Sequence, residues 1–305
     1  MRRPSRPGAG HGRDSLAGEV IQFQAPLPKR LLYSLERRIP RYPRDAVPHR
    51  SIEKIMIHGA LFDLEGVLYI GGYPLPGSRE ALLSLRSAGI PMRFITNSTR
   101  TTRSAIVNRL ARMGLEVPVQ HLFTPVVAAR NYLIARKLTP HLLVHPDIQG
   151  EFADLLGPLP GAVLLGDAGS GFSYEALNQC FQLLLDGLPL LAMGSNRYFR
   201  EGHQFSLDIG PFMAALEYAA ELEAVVLGKP SPDFFLAAVN SLGLPPQDVI
   251  MVGDDAEMDV CGALAAGLRG ALVRSGKYRP GDECKVEPAG GRVFDHLDAV
   301  VDYIL

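Results

Sequence analysis

Four short apolar runs in this chain each end on a polar residue, directly or after a single glycine. Ala60-Leu61-Phe62 runs into Asp63, Phe94-Ile95 into Thr96, Val225-Val226-Leu227 into Gly228-Lys229, and Ile250-Met251-Val252 into Gly253-Asp254. Apolar runs of this length, closed by glycine or a polar turn, read as buried strands. In an open α/β sheet the carboxyl ends of the strands form the edge where ligands bind, and charge is rarely left on a core strand without a use. For any one of the four taken singly, a plain turn or helix cap is the alternative.

The stretches between these runs carry helical spacing, so strand and helix alternate. The first strand, drawn from Ile55-Met56-Ile57 through Phe62, leads by a glycine hairpin (Ile70-Gly71-Gly72-Tyr73-Pro74) to a helix entered at Pro76-Gly77-Ser78 and stopped by Gly89. The next strand ends at Thr96-Asn97-Ser98-Thr99, a helix follows over 102–113, and a third strand ends near Phe123. That βαβα opening predicts a parallel sheet. A second α/β run follows, with strands at Leu142-Leu143-Val144, Ala162-Val163-Leu164-Leu165 and Leu190-Leu191-Ala192 and helices near 174–185 and 211–220. The first unit resumes at Val225, with a helix opening at Ser231-Pro232, a strand over 248–252 and a last strand at Gly270-Ala271-Leu272-Val273. The expected fold is α/β: a Rossmann-like three-layer core built on a parallel sheet, residues 51–124 and 223–305, with an α/β cap domain, residues 125–222, inserted in it.

A chain of 305 residues is long enough for two such units. Residues 1–50 stand apart, with 11 Lys and Arg against 4 Asp and Glu, where residues 51–305 hold 20 against 28. The first 29, rich in Arg, Pro, Gly and Ser, bury too little surface to offset ordering entropy and read as disordered. Such a basic segment is a solvated extension, the preferred reading, or an anchor for an anionic membrane or nucleic acid. No run approaches the roughly 18 apolar residues that cross a bilayer, and no signal-peptide pattern is present, so a cytoplasmic protein with no membrane or nucleic-acid partner is expected. Cys180, Cys261 and Cys284 are widely spaced and form no C-x-x-C pair, which argues against a disulfide framework or a zinc site.

Brought to one edge, Asp63, Thr96, Lys229 and Asp254 make a set for phosphoryl transfer, which needs a nucleophile, a metal, a cation and neutral donors for the phosphate oxygens. Two carboxylates about 4 Å apart repel by roughly 4 kcal/mol at an effective dielectric of 20, so Asp63 and Asp254 share a site only with a cation between them. Mg²⁺ suits an all-oxygen site that takes one or two carboxylates plus a substrate phosphate and keeps several waters. Lys229 supplies a point charge beside the nucleophile, Thr96 a hydroxyl and a backbone N–H, and Asp63 in that field is an ionised nucleophile able to form an aspartyl phosphate. The glycines of Gly166-Asp167-Ala168-Gly169-Ser170-Gly171 do not spell the dinucleotide fingerprint and read as a turn.

The ordered set Asp63-Leu64-Glu65-Gly66-Val67, Thr96-Asn97, Gly228-Lys229-Pro230 and Gly253-Asp254-Asp255 through Asp259 resembles the motifs of haloacid dehalogenase (HAD) superfamily phosphatases, over residues 51–305. The insertion resembles the large α/β cap of the subfamily that includes NagD-like nucleotidases. The resemblance implies a Mg²⁺-dependent phosphohydrolase acting on a small phosphorylated substrate: a phosphomonoester, a phosphoamino acid P–N bond or pyrophosphate. It implies Asp63 as nucleophile, Mg²⁺ held by Asp63, the Glu65 carbonyl and Asp254, and the phosphoryl group bound by Thr96, Asn97 and Lys229. Asp255 and Asp259 would orient metal waters or Lys229, and many members form a homodimer through the cap.

One position departs from the pattern. The family usually has Asp two residues after the nucleophile, acting as general acid and then base, and this chain has Glu65. The extra methylene moves the carboxyl by about 1.5 Å. A misplacement near 1 Å costs about 10²-fold and general acid catalysis is worth about 10²–10⁴, so slower turnover is expected rather than loss of the site. The rival is a catalytically weak or inactive module that binds phospho-ligands or protein partners. In the cap, Asn196, Arg197, Tyr198 and Asp208 fall in loops after an apolar strand and are candidates for substrate contact, against the alternative that Arg197 and Asp208 pair on the surface. His145 and His203 are further phosphate-contact candidates, against the alternative of solvated loop histidines.

Overall fold

The computed structural model describes residues 56–201 and 204–305. The expectations for the basic segment, residues 1–50, and for His203 lie outside the described residues. Six parallel strands form the main sheet, in the order Arg292–Phe294, Arg269–Val273, Val249–Gly253, Gly59–Asp63, Met92–Ile95, Leu122–Phe123. From Gly59–Asp63 the chain builds outward to Leu122–Phe123, then returns on the other flank at Val249–Gly253. The carboxyl ends of the two central strands, at Asp63 and at Gly253-Asp254, therefore flank the point where strand order reverses, and ligand crevices open at such points.

Side chains alternate across a strand, and both faces of this sheet are covered. Ala60 and Phe62 join Phe94, Ile250 and Val252 beneath the helices Ser78–Ser87, Arg103–Arg112 and Leu297–Ile304. Leu61 points the other way, joining Ile95, Val249 and Met251 against Phe234 and Phe235 of the helix Pro232–Asn240. The result is three layers. Each fully buried Phe or Leu in them contributes roughly 1.5–3 kcal/mol. The helix of the second motif is capped as its sequence asks: the Thr102 hydroxyl accepts from the Ala105 N–H at 3.3 Å.

A second sheet holds four parallel strands in the order Val225–Val226, Leu190–Ala192, Ala162–Leu165, Pro140–Leu143. Against it lie the helices Tyr174–Leu185 and Ile209–Ala220. Between the Leu190–Ala192 strand and the second of these helices stands an antiparallel hairpin, Tyr198–Glu201 with Gln204–Leu207.

Several expectations are corrected. Val225–Val226 pairs with Leu191 and Ala192, so this strand completes the second sheet instead of resuming the first. Met56 is 57% exposed and the first strand begins only at Gly59. Gly270–Val273 is not in the last strand of the sheet: Arg292–Phe294 adds the edge, pairing with Ala271, Leu272 and Val273, before the final helix Leu297–Ile304. Ser231 does stand at a helix N-cap, but its hydroxyl makes no capping bond.

Candidate active site

Asp63 is the last residue of its strand, is buried, and sits in register with Ile95, so Thr96 follows on the neighbouring strand end. Lys229 reaches this edge from the turn before the helix Pro232–Asn240. Its Nζ donates to Asp63 Oδ1 at 2.5 Å and to Asp259 Oδ1 at 2.6 Å. All three groups are buried, so these are charge-assisted bonds in a low-dielectric setting, where breaking a pair by removing one partner typically costs 3–5 kcal/mol. Asn97 fixes the lysine from its backbone: its Oδ1 accepts from the Lys229 N–H at 2.9 Å and its Nδ2 donates to the Lys229 carbonyl at 3.0 Å. Thr96 is half-buried, and its hydroxyl accepts from the Ser98 N–H at 3.3 Å, closing the turn that carries Asn97.

Asp254 follows the strand Val249–Gly253 and is almost wholly buried. Its Oδ2 accepts from the Lys277 N–H at 2.7 Å, and among the described residues its Oδ1 has no hydrogen-bond partner. Asp63, Asp254 and Asp259 each present a carboxylate oxygen within 4.8 Å of the others. Three acids and one lysine leave the cluster two charges negative. A buried carboxylate oxygen without a donor is costly unless a cation meets it. An all-oxygen set with this excess charge fits a hard divalent cation such as Mg²⁺.

The charges act on one another accordingly. Burial, then Asp63 and Asp259, push the Asp254 carboxyl up to about 7 against the pull of the Lys277 N–H. Burial and Asp63 raise Asp259 above the ordinary carboxylate value, although Lys229 opposes them. Burial alone would lower the Lys229 ammonium, but Asp259 and Asp63 outweigh it and hold its pKa well above the ordinary lysine value.

Two close approaches shape the cradle around Asp254. Gly66 lies in the left-handed region at φ 94°, and a Cβ there would fall 1.9 Å from Asp254 Oδ2; at Gly276, φ 55°, it would fall 2.0 Å from the same atom. Only glycine lets both loops close on the carboxylate. The Ser275 hydroxyl ties them together by donating to the Gly66 carbonyl.

The remaining expected residues divide. Glu65 is exposed beside the cradle. Asp255 Oδ1 caps the following helical turn, accepting from the Glu257 and Met258 N–H groups at 3.1 and 3.0 Å. Asp259 meets Lys229 directly, and its Oδ2 accepts from the Asp255 N–H at 3.2 Å. The structure does not bring Asn196 and Arg197 into the acid cluster. The Asn196 carbonyl accepts from the Gly210 N–H and the Arg197 carbonyl from the Asp208 N–H, and the Asn196 side chain bonds the Asp208 carboxylate. Asp208 is the buried N-cap in the short turn between the strand Gln204–Leu207 and the helix Ile209–Ala220, and Tyr198 is a strand residue and not in a loop.

Arg100 and Lys277 were not expected. Arg100, four residues past Thr96, grips the buried Asp167 through Nε at 2.5 Å and a terminal nitrogen at 3.0 Å. With His145, Phe172, Ser206 and Phe212 it lines a cavity of about 410 Å³. The His145 ring also accepts from the Asp147 N–H through Nδ1, at 3.3 Å. Lys277 carries a signal in the sequence, a Gly-Lys pair just past a core strand, but its backbone bond to Asp254 has none.

Known proteins resemble this chain in sequence and in fold. The family model described as haloacid dehalogenase-like hydrolase matches residues 60–155, and the HAD-hydrolase-like model matches residues 226–300. The phospholysine phosphohistidine inorganic pyrophosphate phosphatase of Danio rerio is 43% identical over 255 residues, covering 82% of this chain and 94% of its own. A 4-nitrophenylphosphatase of Thermotoga maritima shares the structure at a TM-score of 0.76 and 25% identity, over 83% of this chain and 99% of its own. NagD from E. coli K-12 shares the fold at a TM-score of 0.72 and 22% identity, over 79% and 97%. A relative 43% identical over four fifths of this chain, with family models matching both flanks of the inserted segment, places this protein in the haloacid dehalogenase-like hydrolase family.

Proposed function

We propose that this protein hydrolyses small phosphorylated substrates through an aspartyl phosphate on Asp63, with Mg²⁺ in the acid cluster. Lys229 bound between Asp63 and Asp259, beside an Asp254 oxygen with no partner, is the observation that carries it. The name of the Danio rerio relative supplies the substrate classes: phospholysine, phosphohistidine and inorganic pyrophosphate. Pyrophosphate has a weakly basic leaving group, and a P–N nitrogen can take its proton before the bond breaks, so all three ask less of an enzyme proton donor than an alkoxide does, which suits a chain with Glu65 where the family motif has Asp.

Asp63, Glu65 through its carbonyl, and Asp254 would hold the Mg²⁺. When bound, the ion neutralises charge on the phosphoryl oxygens and offsets the excess of the acids. Lys229 and Thr96, with the turn that Asn97 anchors, hold the transferring group in line with Asp63. A carboxylate oxygen of Asp63 forms a bond to phosphorus as the P–N or P–O bond breaks, and the leaving group departs with the electron pair and takes the Glu65 proton. Glu65, now a carboxylate, accepts a proton from a water whose oxygen attacks the same phosphorus. The Asp63–phosphorus bond breaks, and inorganic phosphate leaves a free carboxylate. Residues 125–222 act as the cap, with Val225–Val226 completing its sheet and the Arg100–Asp167 pair tying it to the Thr96 turn. A homodimer through this cap belongs to the same proposal, and analytical ultracentrifugation tests it.

Phosphate release from pyrophosphate, phosphohistidine and p-nitrophenyl phosphate, with Mg²⁺ or with chelator, tests the activity, and Asp63→Asn serves as the blank. Release should require Mg²⁺ and fall at least 10³-fold in the variant. Wild type no faster than Asp63→Asn overturns the proposal and leaves the binding-module reading, in which phosphate binding survives without turnover.

A further inference from the structure

The site holds two lysines, and they differ. Lys229 is buried and paired: its side chain is 6% exposed and its Nζ has carboxylate oxygens at 2.5 and 2.6 Å. Lys277 has a side chain that is 67% exposed, with its ammonium 3.8 Å from Asp255 Oδ2. Its backbone is nonetheless held. The N–H donates to Asp254 Oδ2 at 2.7 Å, the preceding Gly276 leaves no room for a Cβ against Asp254 and Gly66, and Ser275 bonds the Gly66 carbonyl. The segment Ser275-Gly276-Lys277 is thus wedged between the turn after the nucleophile and the second acid of the cluster. A long cationic side chain starts from a fixed point at the edge of the site and ends in solvent.

Charge shows what such a cation is for. The three acids and Lys229 leave two negative charges, which one divalent cation cancels. A transferring phosphoryl group then adds its own charge, and a second phosphoryl on the leaving side adds about as much again. An ordinary lysine is protonated at neutral pH, so Lys277 places a cation at the edge of this site.

We propose that Lys277 is a specificity-determining residue that binds the second, departing phosphoryl group of a diphosphate-type substrate. It favours inorganic pyrophosphate over a monoester with an uncharged leaving group. This rests on the phosphatase activity proposed above. The contact is a charge-assisted hydrogen bond made in partial exposure, worth ten- to a hundredfold in kcat/KM.

The test is kcat/KM for pyrophosphate and for p-nitrophenyl phosphate at constant free Mg²⁺, in wild type, Lys277→Gln and Lys277→Arg. In Lys277→Gln the ratio of the pyrophosphate value to the monoester value should fall ten- to a hundredfold, mostly through KM, and Lys277→Arg should restore most of it. The Asp254 bond is made by the main chain, so the thermal midpoint and its Mg²⁺-induced rise should stay at wild-type values in both variants. A ratio that changes less than threefold overturns the inference, whether both substrates suffer alike or neither does. Wild type active on p-nitrophenyl phosphate but inert toward pyrophosphate overturns it too and leaves the phosphatase activity standing. Wild type inert toward both overturns the activity itself.

Discussion

Removing Asp254 should make the metal-free protein more stable, not less. The folded protein holds this carboxyl at about 7, against its ordinary value of 3.8. A raised acid pKa means that the folded state prefers the proton. The stability linked to that preference is complete below pH 3.8 and is lost as the pH climbs through 7. At about 1.4 kcal/mol per pH unit, ionising Asp254 in the folded protein costs on the order of 4 kcal/mol at pH 8 and about 1.6 kcal/mol at pH 5. Asp254→Asn escapes that cost. It keeps an acceptor for the Lys277 N–H and places an amide where the unpartnered oxygen stood.

With chelator present, the melting temperature of Asp254→Asn should exceed that of wild type at pH 8 and approach it at pH 5. The gap should grow by roughly 3 kcal/mol between the two, about 5–10 °C for a chain of this size. Mg²⁺ should reverse the order. At a hundred times its Kd a ligand stabilises by about 2.7 kcal/mol, and the variant has lost a charged ligand and should gain little. Differential scanning calorimetry of both proteins at the two pH values, with and without Mg²⁺, reads all four quantities. A variant less stable than wild type at pH 8 without metal, or a gap indifferent to pH, refutes the account of the cluster as acids held together against their charge.

Three further substitutions separate roles within the site. Asn97→Ala removes both side-chain bonds to the Lys229 backbone and should destabilise by about 1–3 kcal/mol in urea titrations while lowering kcat, because the lysine loses its anchor. Asp255→Ala removes a helix cap and should cost about 1 kcal/mol, with kcat/KM changed less than in Asp254→Asn; an equal loss would restore it to metal orientation. Glu65→Asp should raise turnover of alkyl monoesters up to about tenfold and that of p-nitrophenyl phosphate and pyrophosphate less, since protonation matters most for the poorest leaving groups; steady-state assays across a leaving-group series measure the slope.

The main sheet and its acids were legible because one local pattern carried both. An apolar run that stops on Asp63 or Asp254 announces a buried strand and a reactive end together, and parallel strands deliver such ends to one edge. Sheet membership is not a local property. Val225-Val226-Leu227 reads the same whether it pairs with Gly59–Asp63 or with Leu190–Ala192, and only the long-range partner decides. The edge strand Arg292–Phe294 and the hairpin at Tyr198 escaped for the same reason: each is three or four residues long, too short for a period to declare itself.

Within the site, what escaped the sequence is what the backbone does. Asp255 and Asp259 look alike in an acidic run, yet one faces back to cap its own helical turn and the other reaches Lys229. The difference lies in the π-helical turn Ala256–Cys261, which sets where position 259 points relative to 255. Lys277 is the clearest case. Its N–H binds Asp254 only because Gly276 and Gly66 both give up a Cβ at one carboxylate oxygen, from loops some 200 residues apart in the chain. Neither glycine means much alone. Together they explain how an acid with an unpaired buried oxygen can be held rigid without being neutralised, the condition a site must meet if it is to wait for a cation.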